Sequence, residues 1–426
     1  MALDRDPLLA TRAARVMARC DRLAACTEEP GTITRSYGSP ALGEAMALVE
    51  GWMREAGLET RRDAVGNLLG RLPAADPDAP VLVLGSHLDS VRDAGRYDGP
   101  LGVLTAVEAV GRVAASGRRR ATALEVAAFA DEEGLRFQTA YLGSRGYAGS
   151  FDPSHLDLVD AAGVSLREAC SAAGGDPEAL SSGAPPPTDL AGYVEVHIEQ
   201  GPALERLGAP LAVVSAIAGQ SRIGVTFTGE AGHAGTVAMD LRRDALLGAA
   251  ELALAAEALA FGLPELVATV GELVVSPGAS NVIPGGVRLS LDVRSPADRT
   301  RETAVATLHR RARAIAAQRG LDLSWRAGHG NPAVPMDPAL STRLADAVAA
   351  AGFPVHHLPS GAGHDAVVLA AVCPVAMLFV RCKGGISHNP AEAVAEADVA
   401  AALAVVDRFL AAELSAPAAR RGKNGD

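Results

Sequence analysis

VLVLGSHLDSVRDAGRYDGPLG, at residues 81–102, is the stretch that decides the fold. Its first four residues form a continuous apolar run, which is typical of a strand covered on both faces, and Gly85 then ends the run. His87 and Asp89 follow at once, and Asp98 comes later in a glycine-flanked turn. Because the sheet fixes the backbone at the carboxyl end of a buried strand, side chains there are held rigidly toward a crevice.

An imidazole and a carboxylate that converge at such a strand end suit a divalent transition metal, with Asp89 left to hold the other imidazole nitrogen. A single histidine at a strand end is more often an ordinary hydrogen-bonded residue than a ligand. The prediction of a metal site therefore depends on whether other strands end in the same kind of residue.

Three further predicted strands also end in or lead to histidine or acidic residues. Residues 124–130 form a second buried strand that ends in Asp-Glu-Glu, and three adjacent acids repel one another unless a cation or protons compensate them. Residues 193–199 alternate between apolar and polar side chains, and the apolar run at 372–380 leads through a Gly-Gly turn to a last histidine. The candidate site residues from these strand ends are His87, Asp98, Glu132, Glu133, His197 and His388.

Two metal ions that share a bridging carboxylate would use five of these six residues. In such a pair, about 3.5–4 Å apart, a bridging water becomes a nucleophile near neutral pH and one metal polarises a carbonyl. The sixth residue would then remove the proton of the water. Adjacent Glu132 and Glu133 suit this division, because neighbouring residues in extended backbone point in different directions.

Composition excludes several classes of function. The chain has 426 residues, enough for two or three domains, and a formal net charge of -11 with no basic stripe, which argues against nucleic-acid binding. The apolar stretch at 246–263 carries Glu251 and Glu257 and is predicted to be a packed helix, not a membrane span. Five cysteines without a C-x-x-C pair indicate a reducing cytoplasm with free thiols.

The order of predicted elements indicates an insertion. From residue 215 the pattern changes to strand, helix, strand, strand, helix, which fits an α+β sandwich placed within an α/β domain. We therefore predict a first domain part at 1–214, an inserted domain at 215–330 and a second part of the first domain at 331–414. Residues 415–426 are polar and small, and we expect them to form a disordered tail.

Eight motifs in sequence order carry a resemblance to a known family. They are GSHLDSV, GRYDGPLGV, DEEGLRF, HIEQGP, GHAGT, LDVRS, SGAGHDA and ISHNPAE. Together they resemble the hydantoinase/carbamoylase amidases, which are relatives of the dinuclear zinc aminoacylases and carboxypeptidases. The resemblance implies a phosphorylase/hydrolase-like α/β/α zinc-exopeptidase domain, interrupted by a ferredoxin-like α+β lid that also builds a homodimer.

The resemblance also assigns roles by position. It makes His87 and His197 ligands of one metal, Glu133 and His388 ligands of the other, and Asp98 the bridge. Glu132 falls on the general base and Asp89 on the residue that orients His87. The related peptidases carry a carboxylate where His197 stands, so His197 favours the ureido-cleaving branch. Substrate contacts are implied at Gln200, His233, Asn281, Arg294 and His364.

These contacts are chemically reasonable. Arg294 can hold a carboxylate by two parallel hydrogen bonds, which a lysine does not reproduce, while His233 and His364 can donate to a carbonyl oxygen that gains negative charge. From the residues alone, Arg294 after an alternating strand is more often a solvated charge. The metal stays open among zinc, manganese, cobalt and nickel, since mixed His and carboxylate ligands suit all four.

The expected function is a cytoplasmic, homodimeric amidohydrolase with two divalent metal ions that cleaves the ureido C–N bond of a small ureido acid. Allantoate is the favoured substrate because GHAGTVAMDLRRDAL resembles the version found in allantoate amidohydrolases. An N-carbamoyl-L-amino acid hydrolase or a β-ureidopropionase is the alternative. An aminoacylase or peptidase, and a non-catalytic metal-binding relative, are more distant alternatives.

Overall fold

The structure is a computed structural model that describes residues 7–118, 120–183 and 187–415. It contains two compact units. The first comprises the described residues up to Ser215, Met336–Leu358 and the described residues from His364 onward; the second comprises Ala216–Pro335 and Pro359–Gly363. The long segment of the second unit thus ends at Pro335, whereas the sequence predicted a boundary at 330. The second unit also includes Pro359–Gly363, which the sequence assigned to the second part of the first domain.

The roles of the two units as catalytic domain and lid stay predictions. Of the predicted tail, Ser415 is the last residue of a helix, and residues 416–426 lie outside the described residues.

The strands and helices are numbered here in chain order. The strands are β1 (Glu59–Arg62), β2 (Leu68–Leu72), β3 (Val81–His87), β4 (Ala123–Phe129), β5 (Leu190–Ile198), β6 (Leu211–Ile217), β7 (Gly219–Thr228), β8 (Gly232–His233), β9 (Val267–Ser276), β10 (Val282–Ile283), β11 (Gly286–Ser295), β12 (Asp322–Asn331), β13 (Val334–Pro335), β14 (His357–Ser360) and β15 (Val375–Val380). The helices are α1 (Pro7–Ala24), α2 (Pro40–Glu55), α3 (Pro100–Ala115), α4 (Leu142–Tyr147), α5 (Leu166–Ala172), α6 (Pro177–Ser181), α7 (Ala203–Leu207), α8 (Ala245–Phe261), α9 (Asp298–Arg319), α10 (Pro338–Ala350), α11 (Ala366–Leu369) and α12 (Glu396–Ser415).

The first unit is built on a mixed sheet with the order β1-β2-β4-β3-β5-β15-β6. Its centre is parallel, because β3 pairs with β4 and β5, and β5 pairs with β15, all in the same direction. Antiparallel β2 and β6 flank this centre. Every residue of β3 and β4 is buried, which confirms the prediction of strands covered on both faces.

Helices cover this sheet. Helix α3 packs on β3, β4 and β5 and lies beside α1 and α12, while α11 packs on β5 and β15. The fold of the first unit is therefore of the α/β class, and the carboxyl ends of its parallel strands come together at one edge.

The second unit is a four-stranded antiparallel sheet with the order β12-β7-β11-β9. Alternate residues of β7 and β11 are buried, and they form a core with α8 and α9 on one face of the sheet. The other face, called the polar face below, carries the polar side chains of β7 and β11, which include Gln220, Arg222, Arg288, Ser290, Asp292 and Arg294. Helix α8 begins at Ala245 because the side chain of Asp244 accepts hydrogen bonds from the N–H groups of Leu246 and Leu247 and so caps the helix.

The helix predicted at 246–263 corresponds to α8, which begins at Ala245 and ends at Phe261. None of the helices in the described ranges has the length and apolar content that crossing a bilayer requires. All five cysteines are described and buried, and no disulfide bond joins any of them.

Candidate metal centre

Parallel pairing in the first unit places the predicted ligands at one edge of the sheet. His87 is the last residue of β3, and in the register of the sheet it lies opposite Phe129, the last residue of β4. Glu132 and Glu133 follow β4 directly, and His197 lies near the end of β5. Residues distant in sequence therefore meet because their strands run in the same direction.

Asp98 lies at the centre of these residues. Its Oδ1 atom is 3.1 Å from Nε2 of His197 and 3.7 Å from Nε2 of His87. Its Oδ2 atom is 3.1 Å from Nε2 of His388, and the same nitrogen is 3.3 Å from Oε1 of Glu133. The two oxygens of one buried carboxylate thus face two different sets of donors.

Gly99 makes this approach sterically feasible. Its φ angle is 82°, and a Cβ atom at this position would lie 2.6 Å from the ring of His87. Any other residue would be strained in its backbone and would also displace the imidazole.

The donor set fits divalent metal ions. Donor atoms of His87, Asp98 and His197 lie within 4.8 Å of one another, and the same holds for Asp98, Glu133 and His388. Imidazole nitrogen and carboxylate oxygen are ordinary ligands of zinc and manganese. In the described part of the chain, the buried Oε1 atom of neighbouring Gln200 has no hydrogen-bond partner, as expected of an atom that faces a ligand or water.

The pKa values of two carboxylates in the cluster shift in opposite directions. Burial alone would raise the pKa of Asp98, but its contacts with His197, His388 and His87 lower that pKa well below the usual value. Burial and the negative charge of Glu133 instead raise the pKa of Glu132 well above the usual value. One carboxylate is therefore a stable anion among imidazoles, whereas the other favours binding a proton.

Asp89 connects two strand ends. Its Oδ1 atom lies 3.3 Å from Nδ1 of His87, as expected of a residue that orients this imidazole. The same carboxylate accepts hydrogen bonds from the backbone N–H groups of Glu132, at 3.0 Å, and Glu133, at 3.1 Å. This second set of contacts was not predicted from the sequence, and it fixes the two glutamates relative to His87.

Two of the predicted substrate contacts also lie in this cluster. Nε2 of Gln200 donates to Oδ2 of Asp98 at 3.0 Å and lies 3.4 Å from Nε2 of His388. The ring of His364 is buried, with its centroid 4.4 Å from that of His197. Nine of the twelve predicted site residues therefore lie in the first unit, around Asp98.

The other three predicted residues belong to the second unit. Nδ1 of the exposed His233 accepts a hydrogen bond from the N–H of Gly235 at 3.0 Å, which leaves Nε2 as the ring nitrogen that can donate to another group. The backbone carbonyl of Asn281 accepts a hydrogen bond from Ala234 at 2.9 Å, which places Asn281 beside His233. Arg294 lies on the polar face of the sheet.

Glu392, which was not predicted as a site residue, supports Asp98. The buried carboxylate of Glu392 accepts hydrogen bonds from the backbone N–H groups of Tyr97, at 2.8 Å, and Asp98, at 3.2 Å. Its second oxygen lies 3.0 Å from the hydroxyl of Ser387, the neighbour of His388. A Cβ atom on Gly95 would lie 2.2 Å from this carboxylate, so a residue with a side chain at position 95 would displace Glu392. The acid at the end of the ISHNPAE motif was the available signal.

Comparison with known proteins places the chain in a family. The sequence matches Peptidase family M20/M25/M40 over residues 83–412, a range that includes every residue of the cluster around Asp98. The chain belongs to this family.

The relatives of this M20-family protein include enzymes named for ureido and carbamoyl substrates. It is 40% identical to allantoate deiminase from Arabidopsis thaliana over 429 residues, covering 93% of this chain and 82% of the relative. It is 41% identical to N-carbamoyl-L-amino acid amidohydrolase from Geobacillus stearothermophilus over 362 residues, covering 85% of this chain and 88% of the relative.

A solved structure confirms the fold and the resemblance seen in the eight motifs. The crystal structure of an amidase of the hydantoinase/carbamoylase family from Burkholderia multivorans matches with a TM-score of 0.89 and 33% identity, covering 95% of this chain and 98% of the other. The M20-family protein therefore has the α/β fold of these amidases.

Proposed function

We propose that this protein is a metal-dependent amidohydrolase that cleaves a ureido C–N bond of allantoate. The observation that carries the proposal is the position of Asp98, whose two oxygens face separate groups of imidazole and carboxylate donors. The similarity to an allantoate deiminase over 93% of the chain supports the choice of substrate. The products would be ammonia, carbon dioxide and ureidoglycine or the ureidoglycolate derived from it.

The residues around Asp98 would hold two divalent metal ions. His87 and His197 would bind one, Glu133 and His388 the other, and Asp98 both. Metal ions at these positions would supply Lewis-acid polarisation of the ureido carbonyl and activation of water. Zinc and manganese suit these ligands, and cobalt and nickel suit them as well.

Glu132 would act as the general base and then as the general acid. As the oxygen of water bonds to the ureido carbon, the Glu132 carboxylate would take the proton of the water and pass it to the departing nitrogen. The C–N bond then breaks, ammonia leaves, and the remaining carbamate releases carbon dioxide. The burial of Glu132 supports this role because it limits the space open to the side chain, and the bond from the backbone N–H of Glu132 to Asp89 holds the backbone at this position.

Other residues would bind the substrate. Arg294 would hold the carboxylate of the ureido acid, because its planar fork of donors matches two carboxylate oxygens. His233 and His364 would donate to the carbonyl oxygen as its negative charge develops. The hydrogen bond from Gly235 to Nδ1 of His233 leaves Nε2 of this ring for the substrate.

A substrate panel on metal-reconstituted protein tests the function. We expect ammonia release with a higher kcat/KM for allantoate than for N-carbamoyl-L-amino acids or β-ureidopropionate. The control is the same protein after removal of metal by a chelator, which should release no ammonia. A preference for N-carbamoyl-L-amino acids would instead assign the activity of the Geobacillus relative, which is equally similar in sequence. A preference for N-acyl amino acids would assign an aminoacylase, and no release from any ureido acid would favour a metal-binding protein without catalysis.

We also propose that the protein is a homodimer formed through the second unit. Leu247, Leu254 and Phe261 on α8 are spaced by seven residues and therefore share one helix face, and all three are exposed, Phe261 by 89%. β9 lies at one end of the sheet order among the described strands, with Val267 and Leu273 exposed. A twofold contact would pair two copies of the strand and cover both helix faces, so a second copy of the chain is the occupant that fits.

Replacing Leu254 by glutamate should convert the dimer to a monomer, because each twofold contact would bury two unpaired carboxylates. Size-exclusion chromatography with light scattering measures the mass directly. Leu207 on α7 in the first unit is 50% exposed, and its replacement by glutamate is the matched control that should leave the mass unchanged. A dimeric Leu254→Glu variant would contradict the proposed surface.

The absence of a disulfide among the five buried cysteines supports a reducing compartment, and we propose that the protein is cytoplasmic.

A further inference from the structure

An open cavity of about 660 Å³ lies on the polar face of the sheet in the second unit. Side chains of β7, β9 and β11 line it together with one glycine from the segment Pro359–Gly363. Its polar lining consists of Arg222, Thr269, Ser290, Asp292 and Arg294. Among these residues, Asp292 and Arg294 form the closest ion pair.

Asp292 holds one edge of the Arg294 guanidinium. The two residues are two positions apart on β11 and therefore project from the same face of the sheet. Nε of Arg294 donates to Oδ1 of Asp292 at 3.0 Å, and Nη2 donates to Oδ2 at 3.1 Å. Two parallel bonds between a guanidinium and a carboxylate fix both distance and plane, which a single bond does not.

The remaining donors of Arg294 are then restricted. A guanidinium has five N–H groups. Asp292 takes two of them, and Nη1 uses one more to donate to the backbone carbonyl of Gly361 at 2.7 Å. Within the contacts of the described residues, one N–H is left on each terminal nitrogen, and the edge formed by Nε and Nη2 is closed to a ligand.

Asp292 is itself held from the neighbouring strand. On β7, Gln220 lies opposite Arg294 and Arg222 lies opposite Asp292. Nε2 of Gln220 donates to Oδ2 of Asp292 at 2.5 Å, and Nε of Arg222 lies 3.5 Å from the same oxygen. Partial burial alone would raise the pKa of Asp292, but the bonds from Arg294 and Gln220 and the charge of Arg294 lower it, so the carboxylate is charged.

We infer that Asp292, held by Gln220, is a positioning residue that sets the orientation of Arg294 and restricts this arginine to planar, negatively charged ligands. The inference rests on the proposed function, in which Arg294 binds the carboxylate of the ureido acid. The long, flexible side chain of an arginine loses rotamer freedom when it binds a ligand, and this loss weakens binding. Because the bond to Asp292 already restricts the side chain of Arg294, less freedom is lost when the ligand binds. The two N–H groups left over match the two oxygens of a carboxylate, whereas a carboxamide offers only one acceptor oxygen.

The experiment compares Asp292→Asn with Glu272→Gln on metal-reconstituted protein. Glu272 lies on the same sheet and pairs with Arg288 at 3.1 Å, so its replacement removes a similar charge without a contact to Arg294. We expect Asp292→Asn to raise KM for allantoate by about tenfold or more and to change kcat by less than about threefold, since the loss is in substrate binding. In Asp292→Asn, KM for the carboxamide analogue of allantoate should stay the same. Glu272→Gln should leave KM unchanged for both substrates.

Arg294→Lys and the double variant separate this inference from the proposed function. If Asp292 acts through Arg294, Asp292→Asn should add nothing to the KM of Arg294→Lys. Equal effects of Asp292→Asn on both substrates, or full additivity in the double variant, would overturn the positioning role. A raised KM in Arg294→Lys with an unchanged KM in Asp292→Asn would overturn this inference alone. An unchanged KM in Arg294→Lys would reject the carboxylate clamp and the inference with it.

A second variant covers the case in which Asp292→Asn does not fold. Gln220→Ala removes one bond to Asp292 and leaves the pair with Arg294 in place, so KM for allantoate should rise by a smaller factor and KM for the carboxamide should stay constant. Calorimetric titration of allantoate into the metal-depleted protein measures binding without turnover. Wild-type affinity for allantoate in Gln220→Ala would overturn the inference in that case.

Discussion

Replacement of Glu132 by glutamine is expected to lower kcat by about 10²–10⁴-fold while the metal content stays the same, since this is the range that a positioned acid–base group contributes. Glutamine has nearly the shape of glutamate but cannot accept the proton of water. The backbone N–H of residue 132 would keep its bond to Asp89, so the strand end should not move. The loss should therefore be confined to the chemical step.

Metal analysis together with the pH dependence of kcat tests this prediction. Glu132→Asp is the matched control, because it keeps the charge and shortens the side chain by one methylene; we expect it to retain more activity than Glu132→Gln. Wild-type kcat in Glu132→Gln would reject the role of Glu132 as base. Loss of metal in this variant would show that Glu132 is a ligand, which its position near His87 and Glu133 also allows.

Replacement of Asp98 by alanine is expected to abolish activity by removing metal binding itself. Asp98 is the one carboxylate shared by both groups of donors, so its loss takes an oxygen from each group. A ligand that binds only the folded state stabilises it by about 2.7 kcal/mol at a free concentration of 100 times Kd. Added zinc or manganese should thus raise the Tm of the metal-depleted wild-type protein and leave the Tm of Asp98→Ala nearly constant.

The comparison of Tm with and without metal isolates this effect, because each variant serves as its own reference for lost hydrogen bonds. Asp157→Ala, which removes an exposed carboxylate in the first unit, is the control and should keep the full metal-dependent increase in Tm. Retention of two metal ions per chain by Asp98→Ala would contradict the bridging role. Retention of one metal ion per chain would show that only one of the two metal positions depends on Asp98.

Part of the candidate site could be predicted from single residues. His87 and the acids after β4 stand at the ends of continuous apolar runs, and such runs indicate buried strands whose ends are rigid. His197 was also predicted, although its strand is more buried than its sequence indicates, since a strand of alternating polarity usually exposes one face. β5 alternates in polarity, yet nearly all of it is buried, because Glu195 on the polar side accepts hydrogen bonds from Ser86 and from the N–H of Ala366.

The supporting contacts could not be predicted in the same way. Glu392 holds the backbone at Asp98 from a position 294 residues away in the chain, and no local periodicity encodes such a contact. In the sequence, Asp292 is one of several polar residues on a strand of alternating polarity, and nothing local distinguishes it. Its role follows only from the register that places Gln220 and Arg222 beside it. The segment Pro359–Gly363 joins the second unit for a related reason, since Gly361 accepts a hydrogen bond from Arg294.

By itself, the sequence determined the α/β class of the first unit, the polarity pattern of the second and the chemical identity of the donors around Asp98. These features depend on residue type and on periods of two or about 3.6 residues, which are local properties of the chain. The tertiary structure alone decided which oxygen of Asp98 faces which imidazole, that Glu392 and Asp89 hold the strand ends, and which donors of Arg294 are already used. Distances between atoms that are far apart in sequence arise from strand order and register, and these depend on the packing of the whole unit.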